Sequence, residues 1–160
     1  MTKIALWVGA VGALAASAAG CGGGESPYAR FIGTWQSVAG STIQAACPAP
    51  VGNVNNELRG NLQILPALDA NLVVLDPNGC DPLFTVSGNV ATATANLSCS
   101  HPGQQMGVTQ EDVYTSLTLT TVDGKTLQHA GMGNATFTSA AGSLRCTFTV
   151  NANWKKVSNE

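Results

Sequence analysis

A strict alternation of apolar and polar residues near the end of the chain constrains the fold most. From Leu144 to Trp154 every even position is apolar and every odd position is polar. A period of two places the apolar side chains on one face of a β-strand and the polar ones on the other. The segment therefore predicts a long strand with one buried face and one face in water.

Shorter alternating stretches recur along the rest of the chain. Residues 58–64 and 113–120 alternate clearly, and the other strand candidates are residues 31–39, 71–75, 82–87, 89–97 and 125–139. We expect the last of these to be broken near residues 131–134, where glycines interrupt the pattern. No convincing helical periodicity appears after residue 27.

The turns and the two chain ends favour a closed sheet. Gly88-Asn89 and Asp123-Gly124 are short turn signals of the kind that join antiparallel neighbours. Gly33-Thr34-Trp35 opens the first strand and Trp154 ends the last, and these matching features suggest that the two strands pair. Closure removes exposed sheet edges. The sequence predicts an all-β antiparallel meander barrel of about eight strands, with a β-sandwich as the alternative.

The N-terminal residues differ in character from this domain. Lys3 is followed by an apolar run over residues 4–16, by small residues, by Cys21, and by a Gly-rich stretch that ends at Pro27. An apolar run this short is typical of a secretory signal and not of a spanning helix. The layout resembles a bacterial lipoprotein signal peptide. It implies a signal peptide over residues 1–20, a lipidated cysteine and tether over 21–27, and a domain over 28–160.

The lipoprotein resemblance also implies a location. In that family Cys21 carries acyl chains, palmitate among them, and two or more chains anchor a protein stably. Gly22 takes the place of the Asp that retains such proteins at the inner membrane, which favours the outer membrane. An ordinary signal peptide followed by a chance cysteine is the alternative. We therefore expect a protein anchored in the cell envelope, with the membrane as its partner through the lipid.

The four remaining cysteines predict two disulfides. An even number in an oxidising compartment indicates a disulfide framework, and four cysteines allow three pairings. If Trp35 pairs near Trp154, Cys47 lies opposite about residue 142, a few residues from Cys146.

A separate argument pairs the other two cysteines. A two-residue turn at Gly88-Asn89 places Cys80 near residue 97 and hence near Cys99. We predict bonds between Cys47 and Cys146 and between Cys80 and Cys99.

Charge excludes one class of partner. Without Lys3 the chain has six Lys or Arg and nine Asp or Glu, so its net charge falls from −2 to −3. Charged residues make up 10% of the chain, against about 25% in typical soluble domains. Because phosphate neutralisation requires clustered Lys and Arg, we expect no nucleic-acid partner.

Gly33-Thr34-Trp35, followed by a meander of alternating strands, resembles the calycin group of lipocalins and avidin-like barrels. In lipocalins the corresponding tryptophan packs at the closed end under a basic side chain of the last strand, a part that Lys155 or Lys156 would take. The connection over residues 46–57 occupies the place of the large loop over the lipocalin barrel mouth. The chain is also similar to small bacterial lipoproteins with two disulfides.

This resemblance implies a non-enzymatic binding module for a small apolar ligand. The interior-facing residues we expect are Trp35, Leu62, Leu117, Phe148 and Trp154. They serve either as plain barrel core or as ligand-lining residues, since small barrels are filled by their own side chains or hold one ligand.

The alternative function is binding or inhibition of another envelope protein. Residues 100–112 form a long predicted loop with His101, Pro102 and Met106, and long loops in compact domains are often functional.

An enzyme is not expected. The chain has no G-x-S-x-G motif, and Glu111 and Asp112 are adjacent on a strand, so their carboxylates point to opposite faces. No C-x-x-C pair or clustered histidines indicate a metal, and no cofactor is expected.

Overall fold

The computed structural model describes residues 26–68, 72–75, 80–103 and 107–159. The predicted signal peptide, Cys21 and most of the tether lie outside these residues. The described residues form eleven β-strands, with the bounds β1 Gly33–Ser37, β2 Thr42–Ala46, β3 Asn53–Glu57, β4 Asn61–Pro66, β5 Leu72–Leu75, β6 Leu83–Ser87, β7 Val90–Ala93, β8 Leu97–Pro102, β9 Thr109–Thr120, β10 Thr126–Ser139 and β11 Gly142–Ser158.

Eight of these strands close into an antiparallel barrel, as the alternation predicts. The order around it is β1-β4-β5-β6-β7-β9-β10-β11, and β11 pairs back with β1. In the closing pair Trp35 lies opposite Lys156, and Ser37 lies opposite Trp154. The predicted pairing of the first and last strands is confirmed, with a register two residues away from the expected one.

Three strands lie outside the closed ring. The β2–β3 hairpin is inserted after β1 and pairs with β11, while β8 pairs with β9. β2 pairs with residues 147–151 of β11, and β8 pairs with residues 109–114 of β9. The strands β9 to β11 are long, with 12 to 17 residues each, whereas β4 to β7 have four to six residues each. The barrel is therefore short on the side of β4 to β7 and long on the side of β9 to β11. The long side, together with the attached strands β2, β3 and β8, is called the tall sheet below.

Residues 46–57 do not form a large loop, contrary to the expectation from the calycin resemblance. Residues 53–57 are β3, which pairs with β2, and only residues 47–52 connect the two strands. Sequence patterning missed this hairpin because neither strand has a fully buried side chain.

The predicted long loop over residues 100–112 is also wrong. β8 runs to Pro102 and β9 begins at Thr109, so the connection between them is residues 103–108. Gln104, Gln105 and Met106 lie outside the described residues. His101 is a strand residue and not a loop residue.

β10 is continuous and is not broken near residues 131–134. The glycines there coincide with a register shift against β9 between Met132 and Gly133, which is a β-bulge. The predicted turn at Gly88-Asn89 is confirmed: Ser87 pairs with Val90, and Gly88 has the positive φ of 58° that a two-residue turn requires at its first position.

Both predicted disulfides are confirmed. Cys47 bonds to Cys146, with Cα atoms 4.3 Å apart, and ties the β2–β3 hairpin to β11. Cys80 bonds to Cys99, with Cα atoms 5.4 Å apart, and ties the segment between β5 and β6 to β8. Each bond therefore attaches an extra strand to the barrel.

One end of the barrel, where residues 26–31 precede β1, is filled by its own side chains and is called the closed end below. Trp35, Leu117 and Trp154 are buried there as predicted, and Leu62 is half-buried against them. Other members of this core are Phe31, Ile64, Leu72, Phe84, Leu119 and Leu127. Because apolar burial is the main favourable term in folding, this packed section is the stable base on which the rest is built.

Candidate functional site

An open cleft lies at the other end of the barrel, beyond the packed closed end, on the inner face of the tall sheet. Its volume is about 770 Å³, within the range of small-molecule sites. Apolar side chains from β2, β3, β9, β10 and β11 form most of its wall, among them Ile43, Val54, Tyr114, Phe137, Leu144 and Phe148. Among the described lining residues, Asp112 is the single charged side chain. The cleft is therefore suited to a mainly apolar molecule.

The bulge on β9 and β10 decides which side chains reach the cleft. On the C-terminal side of the bulge along β9, Leu117 and Leu119 face the barrel core. Met132 pairs with Ser116 and Gly133 pairs with Tyr114, so the inward position on β9 changes from odd to even residues. As a result Tyr114, Asp112 and Gln110 line the cleft. The bulge redirects these side chains, which is a recognised use of such irregularities.

Gly133 allows two aromatic rings to meet at the inner end of the cleft. A Cβ atom on Gly133 would lie 2.2 Å from the Val113 carbonyl oxygen and 2.8 Å from Cζ of Phe148. With no side chain there, Tyr114 and Phe148 approach with ring centroids 5.1 Å apart and planes at 80°. This edge-to-face arrangement is a favoured geometry for aromatic pairs.

The polar end of the cleft is a hydrogen-bonded group on β8 and β9. Nε2 of His101 lies 3.0 Å from an oxygen of Asp112, and Nε2 of Gln110 donates to both oxygens of that carboxylate at 3.0 Å. The side chains of His101 and Asp112 are only 16% and 14% exposed. The carboxylate is thus held rigidly at the side of an apolar surface.

The adjacent carboxylates point to opposite faces, as their positions in the sequence predict. Glu111 accepts a hydrogen bond from Ser98 at 2.8 Å on the outer face, while Asp112 faces the cleft. The two carboxylates do not converge on one point. Paired-carboxylate chemistry therefore has no geometric basis at this position.

Of the five predicted interior residues, only Phe148 lines the cleft. Trp35, Leu117 and Trp154 are barrel core, and Leu62 packs against it. Sequence reasoning missed the cleft residues of β2 and β3, such as Ile43 and Val54. A weak alternation over residues 43–45 was the available signal, and it was hidden by the small residues beside it.

A second polar feature lies deeper in the barrel. His129 stacks against Trp154 with centroids 6.3 Å apart and planes at 27°. Within the described part of the chain, neither ring nitrogen of His129 has a hydrogen-bond partner, and neither does Nε1 of Trp154. Burial disfavours the charged imidazolium and lowers the pKa of His129 to about 4. At neutral pH this ring is uncharged.

No group of three or more His, Cys, Asp or Glu side chains is arranged to hold a metal ion in the part of the chain that the structure describes. No helix within the same residues has the length and apolar character needed to cross a membrane.

No family model, curated protein or solved structure matches this chain. The class that the fold defines is an antiparallel eight-stranded β-barrel with an attached concave sheet.

Proposed function

We propose that this chain is a non-enzymatic binding module, of lipocalin-like type, that holds a small apolar ligand in the cleft. The cleft itself carries the proposal: its volume is about 770 Å³ and its wall is mostly apolar. Ligand sites of this size usually combine apolar walls with a few fixed polar groups. Asp112, held by His101 and Gln110, supplies such a group.

We also propose that the module is anchored in the cell envelope by lipid on Cys21, with the outer membrane favoured over the inner one. The order of residues around Cys21 supports this. Residues 26–31 form a turn before β1, at the closed end of the barrel. A tether over residues 21–27 would join the barrel at this closed end, opposite to the cleft, and the cleft would stay open to its surroundings.

Binding of another envelope protein through residues 100–112 is the alternative. The described residues in this range include none of the large exposed hydrophobic side chains. Interfaces commonly have an apolar anchor at their centre. The ligand cleft is therefore the better-supported proposal.

The test of the cleft is a probe-binding titration with a matched pair of variants. Ala45 lines the cleft on β2, while its neighbour Ala46 points to the opposite face of the strand and is exposed. N-phenyl-1-naphthylamine, a neutral apolar fluorophore, is titrated into the full chain and into A45F and A46F. We expect A45F to weaken binding at least tenfold and A46F to leave it within twofold. Equal binding by all three proteins would contradict the proposal.

The anchor has its own test. Mass spectrometry of the N-terminal peptide from the host envelope should show a mature chain that begins at acylated Cys21. The variant C21S should no longer pellet with membranes. An unmodified N-terminus at any position would refute the anchor without affecting the cleft.

A further inference from the structure

The outermost strand of the tall sheet, β3, has one unpaired edge. β3 comprises Asn53 to Glu57 and is the end of the strand order, and β2 is its single pairing partner among the described strands. Among the described residues, no backbone hydrogen bond is made to the edge of β3 that faces away from β2. A row of free N–H and C=O groups of this kind is a template for another strand.

The hydrogen-bond register identifies which residues point outward. Cys47 N–H donates to the Gly52 carbonyl at 3.2 Å, and Leu58 N–H donates to the Ser41 carbonyl at 2.8 Å. In an antiparallel pair, hydrogen-bonded positions repeat every second residue. Val54 and Asn56 therefore direct their backbone groups toward β2. The backbone groups of the three remaining residues point away from the sheet, and these are Asn53, Asn55 and Glu57.

β3 lacks the usual protection of an edge strand. It contains no Lys, no Pro and no bulge, which are devices that normally blunt such edges. Its one charged residue, Glu57, is paired with Arg59 at 2.6 Å. All five side chains are exposed, and asparagine is disfavoured in strands, so burial of its own side chains does not explain this strand. An added strand would form hydrogen bonds with the free backbone groups of β3 and would cover the partly exposed side chain of Val54.

We propose that β3 accepts an extended segment of another polypeptide as an additional strand. Backbone bonds to Asn53, Asn55 and Glu57 would give affinity, and alternate side chains would give specificity. Side chains on the same face as Val54 would extend over the border of the cleft. There Val51 is 50% exposed and Val54 is 37% exposed. These positions of the partner are apolar, and the intervening positions are polar.

Charge restricts the partner further. As far as the described residues go, the cleft lining holds the carboxylate of Asp112 and includes no Lys or Arg. Glu57, at the end of the edge itself, is neutralised by its ion pair with Arg59 and adds no net charge there. A segment that placed a carboxylate over the cleft would be repelled by Asp112, whereas a neutral or basic segment would not. The partner is therefore a neutral or basic extended segment with alternating apolar residues.

A second copy of this chain fits the edge less well. Antiparallel pairing of two β3 strands reverses the strand direction between the copies. The closed ends, where residues 26–31 lie, would then point in opposite directions. If both copies are anchored through that end to one membrane, as proposed above, this arrangement is not accessible to them.

The test uses a peptide probe and a variant that removes one outward N–H. The probe is acetyl-Thr-Val-Thr-Val-Thr-Val-Lys amide, added to the full chain in detergent. N55P removes an N–H that β2 does not use, and N55A retains that N–H as a matched control. We expect saturable binding that slows amide hydrogen exchange at Asn53, Asn55 and Glu57 at least tenfold. N55P should weaken binding at least tenfold, and N55A should leave it within twofold.

Three results would overturn the proposal. These are absence of saturable binding, equal binding by N55P and the wild-type chain, and protection of amides on another strand. Slow exchange at the three outward amides without peptide, together with a dimer in sedimentation, would assign the edge to a second copy instead. If N55P does not fold, a probe methylated on the backbone nitrogens that face β3 replaces it, and it should bind at least tenfold more weakly. The experiment does not depend on the apolar ligand, because the fluorophore titration of A45F reports on that site separately.

Discussion

The ammonium group of Lys156 lies 4.8 Å from the centre of the Trp35 ring and covers it at the closed end of the barrel. The same Nζ donates hydrogen bonds to the Ile32 carbonyl at 2.8 Å and to the Arg30 carbonyl at 3.1 Å. Nε1 of Trp35 in turn donates to the Phe31 carbonyl at 2.8 Å. One side chain of the last strand therefore fixes the turn that precedes the first strand.

Removal of this ammonium group should destabilise the closed end. K156M keeps most of the aliphatic stem but loses the cation–π contact and two charged hydrogen bonds, for which we expect a loss of about 2–3 kcal/mol. K155M is the control, because Lys155 is the next residue and is exposed on the other face of β11. Urea unfolding of both variants measures the difference. An equal effect of the two substitutions would show that the position of the charge is unimportant.

The buried imidazole of His129 should make stability depend on pH in a defined window. Its pKa in the folded protein is about 4, below the ordinary value of 6.5, because burial disfavours the charged form. The unfolded chain thus binds the proton more readily, and stability falls as the pH decreases from about 6.5 to about 4. The loss over this window is at most about 3 kcal/mol, at 1.4 kcal/mol per pKa unit.

H129L should remove this dependence while keeping the fold. Urea unfolding at several pH values between 4 and 7 gives the slope for both proteins, which differ at position 129 alone. Asp123 does not interfere, since hydrogen bonds from Thr126 and Lys125 lower its pKa to about 2 and its stabilising effect is lost only in stronger acid. Identical slopes in the two proteins would contradict an uncharged buried His129.

The sequence predicts the ring of the barrel well because period-two alternation has a single physical meaning there. β11 is an example: Cys146, Phe148, Val150, Ala152 and Trp154 alternate along it, and all are buried. The turn at Gly88-Asn89 led to the bond between Cys80 and Cys99, whereas the bond between Cys47 and Cys146 was reached from an expected pairing of Trp35 near Trp154 that lies two residues from the observed register. Local patterning thus sufficed wherever one face of a strand met the core.

The cleft could not be predicted in the same way. The hairpin of β2 and β3 is held by β11 and by the bond between Cys47 and Cys146, and not by a buried face of its own. The bulge at Gly133 reverses the inward face of β9, which no alternation count detects. Interactions between distant segments therefore decide where the cleft lies, and a single sequence does not display them.

A methyl group at Gly133 should damage the cleft more than one at Gly131. In G133A the new Cβ would lie 2.2 Å from a backbone oxygen and 2.8 Å from the Phe148 ring. In G131A the nearest atom is the flexible end of Leu117 at 2.9 Å, with backbone oxygen at 3.3 Å. We expect the free energy of unfolding to fall by about 3 kcal/mol or more in G133A and by about 1 kcal/mol in G131A, because overpacking forces backbone and side chains to shift.

Two measurements check the glycine pair. Urea unfolding gives the stability of each variant, and titration with N-phenyl-1-naphthylamine reports whether the cleft keeps its shape. G133A should lose affinity for the probe because the contact between Tyr114 and Phe148 is forced apart. A G133A protein as stable as the wild-type chain and with unchanged probe binding would show that these rings do not shape the cleft.

The two disulfides should differ in their contribution to stability. The bond between Cys47 and Cys146 closes a loop with a sequence separation of 99, and that between Cys80 and Cys99 closes one of 19. Chain-entropy arguments give about 5 kcal/mol for the longer loop and about 3 kcal/mol for the shorter. Double replacement by alanine removes one bond at a time, and Cys146 and Cys99 are both buried, so each variant loses a similar buried sulfur. Urea unfolding should therefore show the greater loss, by about 1.5 kcal/mol, for C47A/C146A. A larger loss for C80A/C99A would mean that attachment of β8, and not the seam between β2 and β11, limits the stability of the tall sheet.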